Sequence, residues 1–214
     1  PNLKQVNIAD EISEFNLAQN GRALWIPAGE WNRYEYLYNQ TAIDGVSTAH
    51  SPITMVLDDG THLMLHEAAL VDYSAAWFKR VTGTSFRTSL SPAANGPRVV
   101  RAAPFNSPWR TMRIGDDAPS LVNNDLELAL NEPNKLGDVA WVKPMKYIGI
   151  WWDMFLETGT WATGPKHAAN TANALRHIDF AAKYKIGGLL IEGWNKGWNG
   201  NWFGHGDEFK FTEP

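Results

Sequence analysis

Hydrophobic and polar positions alternate with a period of two through much of the first half of the chain, the pattern of half-buried strands. The clearest case is Ile53-Thr54-Met55-Val56-Leu57, then Asp58-Asp59-Gly60, then Thr61-His62-Leu63-Met64-Leu65-His66. Asp-Gly supplies the positive φ angles of a tight turn, so the pattern predicts a hairpin. Its second strand places Leu63, Leu65 and Glu67 on one face and His62, Met64 and His66 on the other. Further strands are predicted at 24–26, 85–90, 98–102, 109–114 and 126–130. Ser91-Pro92, Asn95-Gly96-Pro97 and Gly115-Asp116-Asp117 separate them with turn chemistry. Short strands without intervening helices predict part of a β-sandwich over residues 1–138.

After a connector at 135–144 the period changes. Residues 146–152 form a nearly continuous apolar run, as in a strand buried on both faces of a parallel sheet. Asn170 or Thr171 then caps a helix reaching about Tyr184, with Ala174, Leu175, Ile178, Ala181 and Ala182 as its apolar stripe. Gly187-Gly188 ends it, and Leu189-Leu190-Ile191-Glu192 is a second buried strand. Strand, helix, strand is one βαβ unit with a parallel pair. It predicts the start of a (β/α)8 barrel over 139–214. A whole barrel takes about 250 residues, so the chain is expected to be part of a longer enzyme.

Charge narrows the function classes. The chain has 23 acidic and 19 basic residues, a net charge of −4, and no basic block, which argues against nucleic acid or a polybasic membrane patch. No apolar run approaches the ~20 residues that span a bilayer. Cysteine is absent, removing disulfides, thiol nucleophiles and thiolate metal sites together. No phosphate-binding glycine loop or Gly-x-Ser-x-Gly elbow occurs. The start, Pro1-Asn2-Leu3, carries no signal-peptide pattern. Tryptophan is the unusual residue: seven of the 11 lie from Trp141 onward, meaning either a very aromatic core or a surface that stacks on flat ligands.

In parallel α/β barrels the functional groups sit at the carboxyl ends of the strands. Two stretches meet that rule: Trp151-Trp152-Asp153 and Glu192-Gly193-Trp194-Asn195. Each joins an acid to tryptophan, so the carboxylate can accept sugar hydroxyls while the indole covers the C–H face of the ring. The alternative is that the tryptophans are packing and Asp153 is a cap. Glu67 shares a face with Leu63 and Leu65, so it is expected to point inward and to need a partner. That partner is either a hard cation such as calcium or an arginine, for which Arg110 is the natural candidate. His66 and His167 read as solvated or satisfied histidines.

Seven segments then resemble glycoside hydrolase family 97: His66-Glu67-Ala68-Ala69-Leu70-Val71-Asp72-Tyr73, Pro108-Trp109-Arg110-Thr111, Leu130-Asn131-Glu132-Pro133, Trp141-Val142-Lys143-Pro144, Lys146-Tyr147-Ile148-Gly149-Ile150-Trp151-Trp152-Asp153-Met154, His177-Ile178-Asp179-Phe180-Ala181-Ala182 and Ile191-Glu192-Gly193-Trp194-Asn195. They occur in family order from about Trp25 to Phe203. The resemblance implies a bacterial, periplasmic or secreted exo-acting α-glycosidase with an N-terminal β-super-sandwich and a catalytic (β/α)8 barrel. The His-Glu-Ala-Ala-Leu and Trp-Trp-Asp-Met versions look more like the inverting α-glucosidase branch than the retaining α-galactosidase branch. It implies that Glu67 supplies one ligand to an active-site calcium, and that Trp152, Asp153 and Glu192 line the pocket of an oligosaccharide substrate; the strand-end rule adds Trp151, Trp194 and Asn195 as candidate substrate-binding residues. The family's catalytic carboxyls lie on later barrel strands, so this chain on its own is expected to be inactive. A non-catalytic carbohydrate-binding module is the reading from another class, and a purely structural partner domain a third.

Overall fold

The computed structural model describes residues 4–29 and 34–194. Contacts divide the chain into two units, Pro1–Lys135 and Leu136–Pro214. Among the described residues the first unit has eleven strands: β1 (Gln5–Ile8), β2 (Glu14–Asn16), β3 (Gly21–Trp25), β4 (Asn39–Ala42), β5 (Thr48–His50), β6 (Ile53–Leu57), β7 (His62–Ala68), β8 (Ala76–Thr82), β9 (Ser85–Leu90), β10 (Val99–Ala102) and β11 (Trp109–Gly115). One sheet has the order β11-β7-β6-β3-β4, a second β2-β9-β8-β5, and β1 pairs with β10. The sheets bury a common core, with Ala23, Trp25, Ile53, Met55, Leu63 and Leu65 from the first sheet and Ala49, Phe78 and Phe86 from the second. This is the expected sandwich.

The β6–β7 hairpin keeps the register that alternation demands: Ile53 faces Leu65 and Met55 faces Leu63. Gly60 turns it with φ +89°. Gly21, at the start of β3, has φ +149°, and a Cβ there would collide with the Val56 carbonyl oxygen and stand 2.7 Å from Leu57 Cα. Gly21→Ala is therefore expected to cost about 2–3 kcal/mol, read as a lower urea midpoint with an unchanged m-value.

One predicted strand is a helix. Asp117 caps α1 (Ala118–Val122), and residues 126–130 form α2 (Leu126–Leu130) instead of a strand. Leu126-Glu127-Leu128-Ala129-Leu130 alternates, but its residues are strong helix formers and none is β-branched. The Ala129 N–H donates to the Asp125 carbonyl at 2.8 Å, closing a helical turn.

The second unit holds β12 (Tyr147–Gly149), α3 (Trp151–Phe155), α4 (Thr171–Lys183) and β13 (Gly188–Leu190). β12 and β13 pair in parallel, with Tyr147 opposite Gly188 and Gly149 opposite Leu190, so the βαβ unit is present. Asn170 caps α4 through its side chain, which accepts from the Asn173 N–H at 2.9 Å. Two expectations are corrected. The run 146–152 is not one doubly buried strand: it leaves the sheet after Gly149, Tyr147 is exposed, and of β12 and its continuation Ile150 alone is fully buried. Nor does the predicted stripe of α4 hold together, since Ala174 and Ala181 are buried while Leu175, Ile178 and Ala182 are exposed. The buried face follows the seven-residue spacing of the two alanines. The core of this unit is Ile150, Met154, Ala169, Ala174 and Trp194. No helix among the described residues is long and apolar enough to cross a membrane.

Candidate functional site

In the first unit, β7 and β11 pair so that Glu67 stands opposite Arg110. Arg110 Nη1 donates to Glu67 Oε2 at 2.6 Å, while its Nε and Nη2 reach the two oxygens of Glu11 at 2.8 and 2.7 Å. The side chains are 8% exposed for Arg110 and Glu67 and 18% for Glu11, so this is a buried triad, not a surface ion pair. The Ala76 N–H lies 3.1 Å from Glu67 Oε2 and 3.3 Å from Oε1. Burial pushes the Glu67 carboxyl up, outweighing the Ala76 N–H and the charge of Arg110. For Glu11 burial also acts upward, but the hydrogen bond and charge of Arg110, with bonds from Ser13 and Thr88, overcome it and hold the carboxyl below its ordinary value.

The sequence reading anticipated the arginine and missed Glu11, which precedes β2 and lies 99 residues from Arg110. A calcium ion takes six to eight oxygens. Glu67 offers one lightly used oxygen, Oε1, and among the described residues no group of three His, Cys, Asp or Glu is placed to hold a metal. The described residues of this chain thus do not make a calcium site by themselves.

In the second unit the strand ends carry the predicted residues. The Ile150 N–H donates to the Leu190 carbonyl at 3.1 Å, the last rung of the parallel pair. Beyond it the two chains leave the sheet at the same end. The first turns at once into α3, with the Asp153 N–H bonded to the Ile150 carbonyl at 3.0 Å. The Trp151 indole folds back over Gly149, where a Cβ would stand 2.7 Å from Nε1. Trp151 and Trp152 meet edge to face at 5.1 Å between centroids, and Trp152 stacks on Phe155 at 5.1 Å with 19° between planes. Both rings of the stacked pair are exposed, Trp152 by 48% and Phe155 by 68%.

Asp153 faces α4. Its Oδ2 lies 3.3 Å from Asn173 Nδ2, 3.4 Å from Arg176 Nη2 and 3.6 Å from His177 Nε2. Residues 173, 176 and 177 share one helix face by their three- and four-residue spacing, the signal that could have named these partners beforehand. Asp153, Thr158, Lys166, His167, Asn173 and Arg176 line a cavity of about 400 Å³. Neither Glu192 nor Trp152 lines that cavity. Glu192 is half-buried, and its carbonyl accepts from Trp161 Nε1 at 3.3 Å. Trp194 is 6% exposed and packs in the core, with no partner for Nε1 among the described residues. Asn195 lies outside the described residues. His66 is satisfied by Ser51 Oγ at 2.7 Å from Nδ1, and His167 Nδ1 lies 3.1 Å from the Ala162 carbonyl.

Residues 1–133 match the family described as Glycosyl-hydrolase 97 N-terminal, and residues 151–214 match Glycoside hydrolase 97. A glycoside hydrolase family 97 enzyme in complex with acarbose, from Pseudoalteromonas sp. strain K8, shares 50% identity at a TM-score of 0.86 over 99% of this chain and 32% of its own. A variant of a family 97 enzyme from the same strain, in complex with panose, matches with the same figures. A retaining alpha-galactosidase of Bacteroides thetaiotaomicron is 25% identical over 165 residues, covering 67% of this chain and 24% of its own length. The chain thus spans about a third of the solved relatives and a quarter of the curated one.

Proposed function

Because the chain belongs to glycoside hydrolase family 97, we propose that it supplies the sandwich and the first sugar-contacting strand ends of an exo-acting α-glucosidase. The observation that carries this reading is the parallel β12–β13 pair, whose last rung sends Trp152-Asp153 and Glu192 out of one end of the sheet. There a carboxylate accepts hydroxyl hydrogen bonds and an exposed indole covers the apolar face of a pyranose. The stacked Trp152–Phe155 pair offers such a surface, and Asp153 is held in place by Asn173 and Arg176.

The glucosidase branch is favoured over the galactosidase by the weight of similarity. The solved enzymes are twice as similar as the curated galactosidase, over far more of the chain, and panose is an α-linked glucose oligosaccharide. In the inverting chemistry proposed for the longer enzyme, a protonated carboxyl donates to the leaving oxygen while a carboxylate roughly 6.5–9.5 Å away activates water. Asp153 is already engaged by α4, and Glu192 alone cannot play both parts, so the chain by itself should not hydrolyse. Calcium belongs to the same proposal for the longer enzyme: Glu67 would give one oxygen, with the other ligands outside the described residues.

The test is calorimetry of the chain with maltose and with melibiose, beside an assay on p-nitrophenyl α-glucoside. Maltose should bind more tightly than melibiose, Trp152→Ala and Glu192→Ala should each weaken it about tenfold, and no turnover should occur. Preference for melibiose, or maltose binding untouched by both substitutions, would reject the reading. Turnover by this chain would reject its catalytic half.

A further inference from the structure

Between α3 and α4 runs a loop, residues 156–169, that is fastened at several points within its own unit. The Thr158 and Gly159 N–H groups both donate to the Asp153 carbonyl, at 3.0 and 3.1 Å, and tie its start to the turn after β12. Its two arms are bridged where the Thr160 N–H donates to the Lys166 carbonyl at 2.9 Å and the Ala168 N–H donates to the Thr160 carbonyl at 3.0 Å. Gly159 lies where the arms come closest, since a Cβ there would stand 2.5 Å from Ala168 Cβ. Asn173 Nδ2 closes the far end: it donates to the Ala168 carbonyl at 2.9 Å and lies 3.3 Å from Asp153 Oδ2. A loop bonded to itself in this way keeps one conformation without a ligand, which lowers the ordering cost of binding.

From this loop Trp161 reaches the other strand. Its half-buried ring packs on the core that contains Ile150, Met154 and Trp194, and its Nε1 donates to the Glu192 carbonyl at 3.3 Å. The position of that bond along the chain gives it weight. The last rung of the parallel pair joins Ile150 to Leu190, and among the described residues no backbone bond holds Ile191 or Glu192. Gly193 follows at once with φ +82°, and a glycine restricts the backbone least of all residues. Glu192 thus stands between the end of the sheet and a glycine, where the indole N–H fixes its carbonyl. An acid that must meet a sugar hydroxyl binds more weakly when its backbone is loose, because each binding event then has to order it. Packing of the ring and donation by its N–H are separable, since phenylalanine would keep most of the first and lose the second.

We infer that Trp161 is a positioning residue for Glu192: its indole N–H braces the loop after α3 against the end of β13, so that the Glu192 carboxylate is presented to the saccharide in one place. This role rests on Glu192 contacting sugar as proposed above, and four proteins separate the two claims. Maltose affinity is measured by calorimetry for the chain, Trp161→Phe, Glu192→Ala and the double variant. Trp161→Phe should weaken maltose about fivefold, the worth of one hydrogen bond, while hydrogen-exchange protection in β12, β13 and α4 stays as in the wild type. In the Glu192→Ala background the same substitution should cost less than about twofold, because no carboxylate is left to position. Wild-type affinity in Trp161→Phe beside a weakened Glu192→Ala overturns the inference and leaves the strand-end reading standing. An equal loss in both backgrounds also overturns it, since the indole would then contact the sugar itself or act on the fold as a whole, and so does a loss of protection in Trp161→Phe. Glu192→Ala with wild-type affinity rejects the strand-end reading and this inference with it.

Discussion

Replacing Arg110 with methionine is expected to cost the first unit about 3–5 kcal/mol of folding stability, because it strands two buried carboxylates. Against the 5–15 kcal/mol that holds a typical domain together, this leaves the sandwich marginal. The pH dependence gives a sharper signature than the size. In the wild type, Glu11 is held below its ordinary value, so its stabilisation exists above its unfolded pKa and is lost as pH falls through the folded one. Glu67 is raised, so its charged form weighs against the fold at neutral pH, and that cost disappears as pH falls through its raised folded value. The two act in different windows: stability rises as pH falls through the raised Glu67 value and drops again as pH falls further, through the lowered Glu11 value. Without Arg110 the main lowering influence on Glu11 is gone, and burial, opposed there only by the bonds from Ser13 and Thr88, raises both groups. The folded state then binds more protons than the unfolded chain, and stability rises as pH falls from 7 toward about 5. Urea midpoints across that range check it. Arg110→Met that unfolds like the wild type, or that loses stability in acid, would refute the triad's role. Adding Glu11→Gln and Glu67→Gln to Arg110→Met should return much of the loss, because no charge then remains buried.

Glu67 and Arg110 were legible because strand alternation places both on the core side of adjacent strands, where a buried charge must find a counter-charge. Glu11 was not, because a loop residue so distant in sequence has no periodicity to announce it. The same division runs through the fold. The β6–β7 hairpin, the parallel pair and the Asn170 cap are local or strictly periodic, and all three could be read. Residues 126–130 went astray because alternation and helix propensity conflict over five residues, and α2 shows propensity winning where no sheet neighbour rewards the strand. At Trp151-Trp152-Asp153 a continuous apolar run disguised a turn into helix, since a short apolar stretch does not distinguish strand from buried helix. The aromatic and acidic composition singled out the strand ends as candidate chemistry-bearing segments. Which tryptophan packs and which faces solvent depended on that turn.

Trp194→Ala is accordingly expected to unfold the second unit while leaving the first intact. Trp194 came forward from the sequence as a sugar-stacking residue, yet it is 6% exposed and belongs to a core whose other buried members are Ile150, Met154, Ala169 and Ala174. Two of those are fixed in place by backbone bonds at the strand ends: Ile150 by Leu190, and Met154 by the turn that Asp153 makes onto Ile150. Removing an indole from so small a cluster should cost about 3–5 kcal/mol, and two alanines cannot collapse into the space. Hydrogen exchange separates the outcomes: amides of β12, β13 and α4 should lose protection, while those of β6 and β7 keep theirs. Trp152→Ala, at an exposed ring, should change protection little and act on saccharide affinity instead. Trp194→Phe divides the two roles. It keeps most of the packing and removes an Nε1–H that has no partner among the described residues, so a core residue would lose less in Phe than in Ala. If Trp194 serves the ligand through that N–H, Phe and Ala should weaken maltose binding alike with protection unchanged, and the core assignment would be wrong.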